Sequence, residues 1–326
     1  MTRKSILWQL PLLILLIVGT IYIIRNEQNK PFQRAEGNIF GTTYHITYQS
    51  HENLEAEMVD ALKQVDANLS MFNDTSVISR INRGEQPLVK GTMFEEVYKL
   101  AEKISKQTDG AFDITVAPLV NAWGFGFRNG AMPSQQQIDS LLQFIGYRKV
   151  TLNTTIQKQD PRIMLDCSAI AKGYGCDMAA KVLNRHDVKN YMIEIGGEVV
   201  VKGVNAEGQT WHIGLQKPKE EGTELQEIIT LSDKALATSG NYRRFYYKDG
   251  KKYAHTIDPA TGYPVQHNLL SATVIADDCA TADAYATALM VMGLERGRDF
   301  LKKHKELSAY LIYTDEKGNY KVDNIR

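Results

Sequence analysis

Asp283 and Thr287 lie four residues apart in the run T-A-D-A-Y-A-T-A-L-M-V-M-G over 281–293, so a helix puts them on one face. A carboxylate and a hydroxyl, with backbone carbonyls nearby, make a hard oxygen site suited to Mg²⁺ held against substrate phosphates. The plainer alternative is a polar stripe with Thr287 bonded to its own helix. The segment 166–177 reads D-C-S-A-I-A-K-G-Y-G-C-D and sets Asp166 and Lys172 just ahead of a predicted helix through Met178 and Val182. Ser168 is positioned to cap that helix, and free N–H groups beside a lysine suit a phosphate; a solvated lysine and a capping serine are the other reading. Over 110–115, G-A-F-D-I-T leads into Trp123-Gly-Phe-Gly-Phe and surrounds Asp113 with aromatics and glycines. That composition suits a planar ligand, or else a helix-to-strand turn with an aromatic core plug. His255 stands in Y-A-H-T-I-D-P-A-T-G-Y-P over 253–264, where Asp258-Pro259 and Thr261-Gly262 are turn signals. An imidazole there either moves protons, titrating at a pKa of about 6 to 7, or is an ordinary hydrogen-bonded histidine. Gly196-Gly197-Glu198 reads as a tight turn between strands, which accounts for its glycines with no chemistry assigned. Gly124, Gly126 and Gly130 miss the G-x-G-x-x-G spacing of a dinucleotide-binding turn.

The elements that must position these groups alternate between strand and helix. A strand is expected over 39–48, and Leu54, Met58, Ala61, Leu62, Val65 and Leu69 recur at helical spacing. Thr92 with Glu95, and Ser134 with Gln137, are capping-box pairs opening two further helices. Strand patches at 191–195, 199–204, 211–215 and 272–275 are joined mostly by hairpin-length segments, which favours antiparallel pairing. The class is α+β, with mostly antiparallel sheets and packed helices.

The chain has 326 residues, 43% apolar and 23% charged, enough for a substantial core. Lysine plus arginine and aspartate plus glutamate both number 38, so no basic excess exists for nucleic acid. Cys167, Cys176 and Cys279 are too few and wrongly spaced for a disulfide scaffold or a zinc module. Residues 5–24 carry no charge, and a helix of that length rises about 30 Å, the thickness of a bilayer core. The run is long for a signal peptide, no small-residue cleavage site follows, and no cysteine near its end offers a lipid site. The expectation is a membrane anchor over 1–25, a polar linker over 26–35 and one functional domain over 36–326. Arg3 and Lys4 before the run and Arg25, Lys30 and Arg34 after it leave its orientation open.

In order along the chain, G-T-T-Y from Gly41, S-M-F from Ser70, G-A-F-D-I-T-V-x-P-L-V, D-x-S-x-I-A-K-G-Y, G-G-E, S-G-N-Y-R-R, H-T-I-D-P-x-T-G-x-P and A-D-A-x-A-T-A-L resemble the ApbE family of flavin transferases. The resemblance implies an ApbE-like α+β domain over 36–326 that binds FAD as substrate and Mg²⁺ as cofactor. It implies transfer of FMN to a threonine or serine hydroxyl of an acceptor protein through a phosphoester, with AMP as the other product. It places the metal at Asp283, Thr287 and the backbone carbonyl of Ala169. Flavin contacts fall on Phe72, Ala111, Phe112, Asp113, Asp166, Lys172 and Ile257, and the catalytic histidine on His255. Phe40 stands where the family usually has methionine and keeps a bulky apolar contact. The resemblance also implies a catalytic domain on the outer, periplasmic side of the bacterial inner membrane, held there by the apolar helix. An FAD pyrophosphatase, and a non-catalytic membrane-anchored flavin-binding protein, are the rival functions.

Overall fold

The computed structural model describes residues 11–20, 30–126, 132–218, 224–242 and 244–326. Its centre is an eight-stranded sheet, antiparallel at every pairing, in the order β1-β2-β5-β6-β9-β12-β13-β14. These strands are β1 (Phe32–Ile39), β2 (Thr42–Gln49), β5 (Tyr191–Ile195), β6 (Glu198–Lys202), β9 (Ala235–Gly240), β12 (Leu269–Ala276), β13 (Ser308–Thr314) and β14 (Tyr320–Ile325). Where one strand is expected over 39–48, the chain instead reverses at Phe40 and Gly41, whose φ angles are 51° and 73°. Two successive left-handed residues match the twist of a tight hairpin, so β1 and β2 pair in register from Phe32–Gln49 to Ile39–Thr42. The middle of the sheet has a short seam, where β6 pairs with β9 through Val199–Leu236 and Val200–Ala235 and the Val201 N–H donates to the Lys234 carbonyl at 3.0 Å.

The helices are α1 (Glu55–Leu69), α2 (Val77–Asn82), α3 (Met93–Gln107), α4 (Ala117–Ala122), α5 (Gln135–Leu142), α6 (Ala171–Arg185) and α7 (Cys279–Lys303), of which α1, α6 and α7 pack on the strands of this sheet from one face. Side-chain alternation explains which strand residues meet them. Ala235 and Ala237 of β9, and Ala272, Val274 and Ala276 of β12, pack under the helices, while Val199, Val201 and Leu236 face the other side. That second face is covered by a hairpin of β7 (Trp211–Gln216) and β8 (Leu225–Leu231), whose Trp211, Ile213, Leu215, Ile229 and Leu231 fill a separate apolar cluster. Two further hairpins are β3 (Val150–Leu152) with β4 (Ile156–Lys158), and β10 (Phe245–Lys248) with β11 (Lys251–Ala254).

The helix boundaries follow their caps. Ser134 and Gln137 form the full reciprocal box at α5. At α3, Thr92 accepts from the Glu95 N–H, but the Glu95 carboxylate takes the Gly91 N–H, so the box is only half formed. Ser168 does not cap α6. Its own N–H donates to Asp166 Oδ1 at 2.7 Å, a local turn that delays the helix to Ala171. Helix α7 begins at Cys279, with Asp278 Oδ1 accepting from the Thr281 N–H, and runs ten residues beyond the expected end at Gly293. Gly293 marks a kink, with φ 74° and ψ −177°.

At the N-terminus, residues 11–20 are helical. Among the described residues no helix is long and apolar enough to cross a membrane. The flanking parts of the apolar run, 5–10 and 21–24, lie outside the described residues.

Candidate active site

The site is built where α6 and α7 cross. A Cβ on Gly173 would lie 2.3 Å from the Cys279 carbonyl oxygen, so only glycine allows the two backbones this close. One turn further along α7, Asp283 is 4% exposed and its Oδ2 accepts the Gly173 N–H at 3.0 Å. Gly173 is in the first turn of α6, where N–H groups have no partner within the helix, so its donor is available to the carboxylate. Among the described residues no backbone hydrogen bond reaches the Ala169 carbonyl, in the turn just ahead of α6. Thr287 follows on the same face and its Oγ1 lies 3.0 Å from Ser239 Oγ, which β9 presents on its helix side. Asp283 and Thr287 thus stand together on α7 as a carboxylate and a hydroxyl, with the Ala169 carbonyl in the turn that leads into α6. This is an all-oxygen donor set, which fits Mg²⁺. No group of three or more His, Cys, Asp and Glu side chains able to hold a metal occurs among the described residues, so a cation here relies on one carboxylate, neutral oxygens and substrate phosphates.

Lys172, at the start of α6, forms an ion pair with Glu198 Oε1. Glu198 therefore corrects the expectation that its Gly-Gly-Glu segment is only a turn. The first residue of β6, it is 2% exposed and shares the helix-covered face with Val200. Its second oxygen, Oε2, is buried without a hydrogen-bond partner. Burial pushes the Glu198 carboxyl above the usual range, with Lys172 opposing and Asp283 reinforcing that shift. Burial also works against the Lys172 charge, but Asp283 and Glu198 together outweigh it and hold the ammonium above the ordinary lysine value. Burial raises Asp283 as well, against the pull of Lys172 and the Gly173 N–H.

The segment 110–116 lies against the approach to α6 through the Asp166 N–H, which donates to the Ile114 carbonyl at 2.6 Å. The Asp113 carboxylate is engaged by the chain itself. Oδ1 accepts the Thr115 N–H at 2.8 Å and its hydroxyl at 2.7 Å, and Oδ2 accepts the Tyr147 N–H at 2.7 Å. Asp113 thus shapes this loop, with Ala111 and Phe112 buried beside it. Asp166 is raised by burial, and its bond from Ser168 and the nearby Arg244 charge partly offset that.

His255 follows β11. Its Nδ1 lies 3.2 Å from the Arg244 carbonyl, an acceptor only, so Nδ1 carries the proton and Nε2 keeps its lone pair. Burial, then the positive charges of Arg244 and Lys172, depress its pKa to about 4 despite that hydrogen bond. This replaces the expected value of 6 to 7: the ring is neutral throughout the physiological range. A row of rings supports it, with Trp123 stacked on Tyr253 (centroids 5.6 Å), Tyr253 on Tyr246 (5.6 Å), Tyr246 on Phe125 (5.4 Å), and Phe125 edge-on to His255 (6.4 Å). Trp123 Nε1 donates to the Gly262 carbonyl at 2.8 Å and ties this wall to the loop carrying Ile257, itself buried and bridged to Pro264.

Lys172, Asp166, His255 and Arg244 therefore share one electrostatic neighbourhood beside Asp283. Phe40 packs at the meeting of the two helix-side clusters and against Gly175, one turn along α6. Phe72 is 65% exposed on the turn after α1. Residue-type reasoning missed Glu198, Arg244 and Ser239. The signal was present, since all three lie in the G-G-E and S-G-N-Y-R-R segments, but none stands in a ligand-like spacing.

An antiparallel α+β fold that gathers a carboxylate, a hydroxyl and a paired lysine at a helix crossing, with a neutral histidine on the loop after β11, has the parts of an enzyme active site. Residues 40–311 match the ApbE family, and the chain belongs to it. A protein of Haemophilus influenzae named FAD:protein FMN transferase is 38% identical over 304 residues, covering 86% of each chain. One of the same name from Vibrio cholerae is 38% identical over 300 residues, covering 88% of this chain and 90% of its own. The solved flavin transferase ApbE of Vibrio cholerae superposes with a TM-score of 0.81 at 35% identity, covering 90% of this chain and 98% of that one.

Proposed function

We propose that this chain transfers FMN from FAD to a threonine or serine hydroxyl of an acceptor protein, forming a phosphoester and releasing AMP. The single observation that carries the reading is the α6–α7 crossing, where Asp283 takes the Gly173 N–H next to Lys172 and Thr287 follows on the same face, with a neutral His255 that feels the Lys172 charge. Asp283, Thr287 and the Ala169 carbonyl would hold Mg²⁺, which when bound neutralises pyrophosphate charge and polarises the phosphorus. Lys172 and Arg244 offer positive charge for the FAD phosphates. The aromatic wall from Trp123 to Phe125, with Ile257, offers an apolar face to a planar ring. His255 Nε2 accepts the proton of the acceptor hydroxyl as its oxygen bonds to the FMN phosphorus and AMP departs with the bridging oxygen.

In this reading the apolar run over 5–24 anchors the enzyme in the bacterial inner membrane, with the domain over 36–326 on the periplasmic side. The uncharged length of that run supports it. Incubating the protein with FAD, Mg²⁺ and an acceptor protein should give flavin fluorescence that stays with the acceptor after denaturation, and AMP in equal amount. Free FMN with no labelled acceptor would mean a pyrophosphatase, and intact FAD would mean a binding protein. Release of the full chain from membranes by alkaline carbonate would refute the anchor.

A further inference from the structure

We propose that Glu198 is a positioning residue that holds the Lys172 ammonium away from Asp283, keeping the Asp283 carboxylate open to a divalent cation. This rests on the reading of Asp283, Thr287 and the Ala169 carbonyl as the cation site.

Two buried carboxylates here share one ammonium. Lys172 sits next in sequence to Gly173, whose N–H is the one hydrogen bond reaching the Asp283 carboxylate among the described residues. Asp283 competes for the same lysine, since its charge acts on the ammonium even more strongly than the charge of Glu198 does. Yet the short ion pair goes to Glu198. The two acids differ in mounting: Glu198 opens β6 and is paired with Ile195 of β5, whereas Asp283 stands on α7. The lysine stem is flexible and takes its place from the partner. Without Glu198, an ammonium left in this interior has Asp283 as its nearest counter-charge, because a buried unpaired charge is strongly disfavoured. It would then occupy the oxygens the cation needs. A group that orients its neighbours this way typically costs about 10- to 100-fold in metal affinity when removed.

The test is Mn²⁺ binding, titrated by electron paramagnetic resonance into the full-length protein in detergent, with FAD present at a fixed saturating concentration and no acceptor. The unsubstituted protein should bind Mn²⁺, and Asp283→Ala should not; failure of that pair overturns the site reading itself. Given that pair, Glu198→Ala should bind Mn²⁺ about 10- to 100-fold more weakly. Adding Lys172→Met to it removes the competitor and should restore most of the affinity, which a merely structural role for Glu198 would not do. Unchanged affinity in Glu198→Ala, or a double variant as weak as the single, overturns the proposal. If thermal melting shows Glu198→Ala unfolded, Glu198→Gln carries the test: it keeps the shape but not the charge, and affinity equal to the parent overturns the proposal.

Discussion

A histidine whose neighbours are cationic makes a base that survives acid. Burial, Arg244 and Lys172 all disfavour imidazolium at His255, so its proton affinity falls and the neutral form persists down to about pH 4. For kcat/KM, which reports the free enzyme, the limb from this residue should therefore be flat from about pH 5.5 to 8 and fall as pH drops toward 4. A limb centred near 6.5 would show that Arg244, Lys172 and burial do not depress the His255 pKa. His255→Ala should lower transfer by about 10²- to 10⁴-fold with FAD affinity retained, measured by flavin fluorescence quenching. Parallel loss of affinity and rate would make the residue a prop for the 253–264 loop. Asp283→Ala should remove Mg²⁺ dependence together with turnover, and persistence of either would move the cation elsewhere. Asp283, Thr287, Lys172 and His255 were legible because each stands in a segment whose residue types exceed what packing needs. Glu198 was not, because its two glycines already explain a turn, and only the pairing of β6 reveals where the third residue points.

At the scale of elements, the α6–α7 crossing is the decisive contact, and two glycines on α6 test it. At Gly173 an added methyl meets the backbone of Cys279 and Ala280, which cannot rotate aside, whereas at Gly175 it meets the ring of Phe40 at 2.6 Å, a side chain able to shift. Gly173→Ala should cost about 1–3 kcal/mol by overpacking and displace Asp283, lowering both melting temperature and metal affinity. Gly175→Ala should do less on both counts, and equal effects would deny that the crossing sets the site. Helix periodicity and caps made α1, α3 and α5 readable from composition alone. The β1–β2 hairpin was hidden because Phe40-Gly41 is not a customary turn pair. The helix expected over 281–293 continues to Lys303 because Gly293 is a kink that α7 passes through.

Over the whole molecule, the arrangement of the sheet was legible only as a preference for antiparallel pairing, since strand order depends on contacts between segments distant in sequence. That order has a mechanical consequence. The two-pair seam between β6 and β9 divides the sheet into β1-β2-β5-β6, with α6 packed on it, and β9-β12-β13-β14, with α7 packed on it. Glu198 and Lys172 stand on one bank, and Asp283, Thr287 and Ser239 on the other. A ligand bridging them works as a clamp across the least-bonded line of the structure, and a clamp that favours the closed form suppresses local opening. Hydrogen–deuterium exchange should therefore slow at the amides of 198–202 and 235–240 when FAD and Mg²⁺ are added together. Protection confined to 253–264 would mean that the two halves breathe independently of what is bound between them.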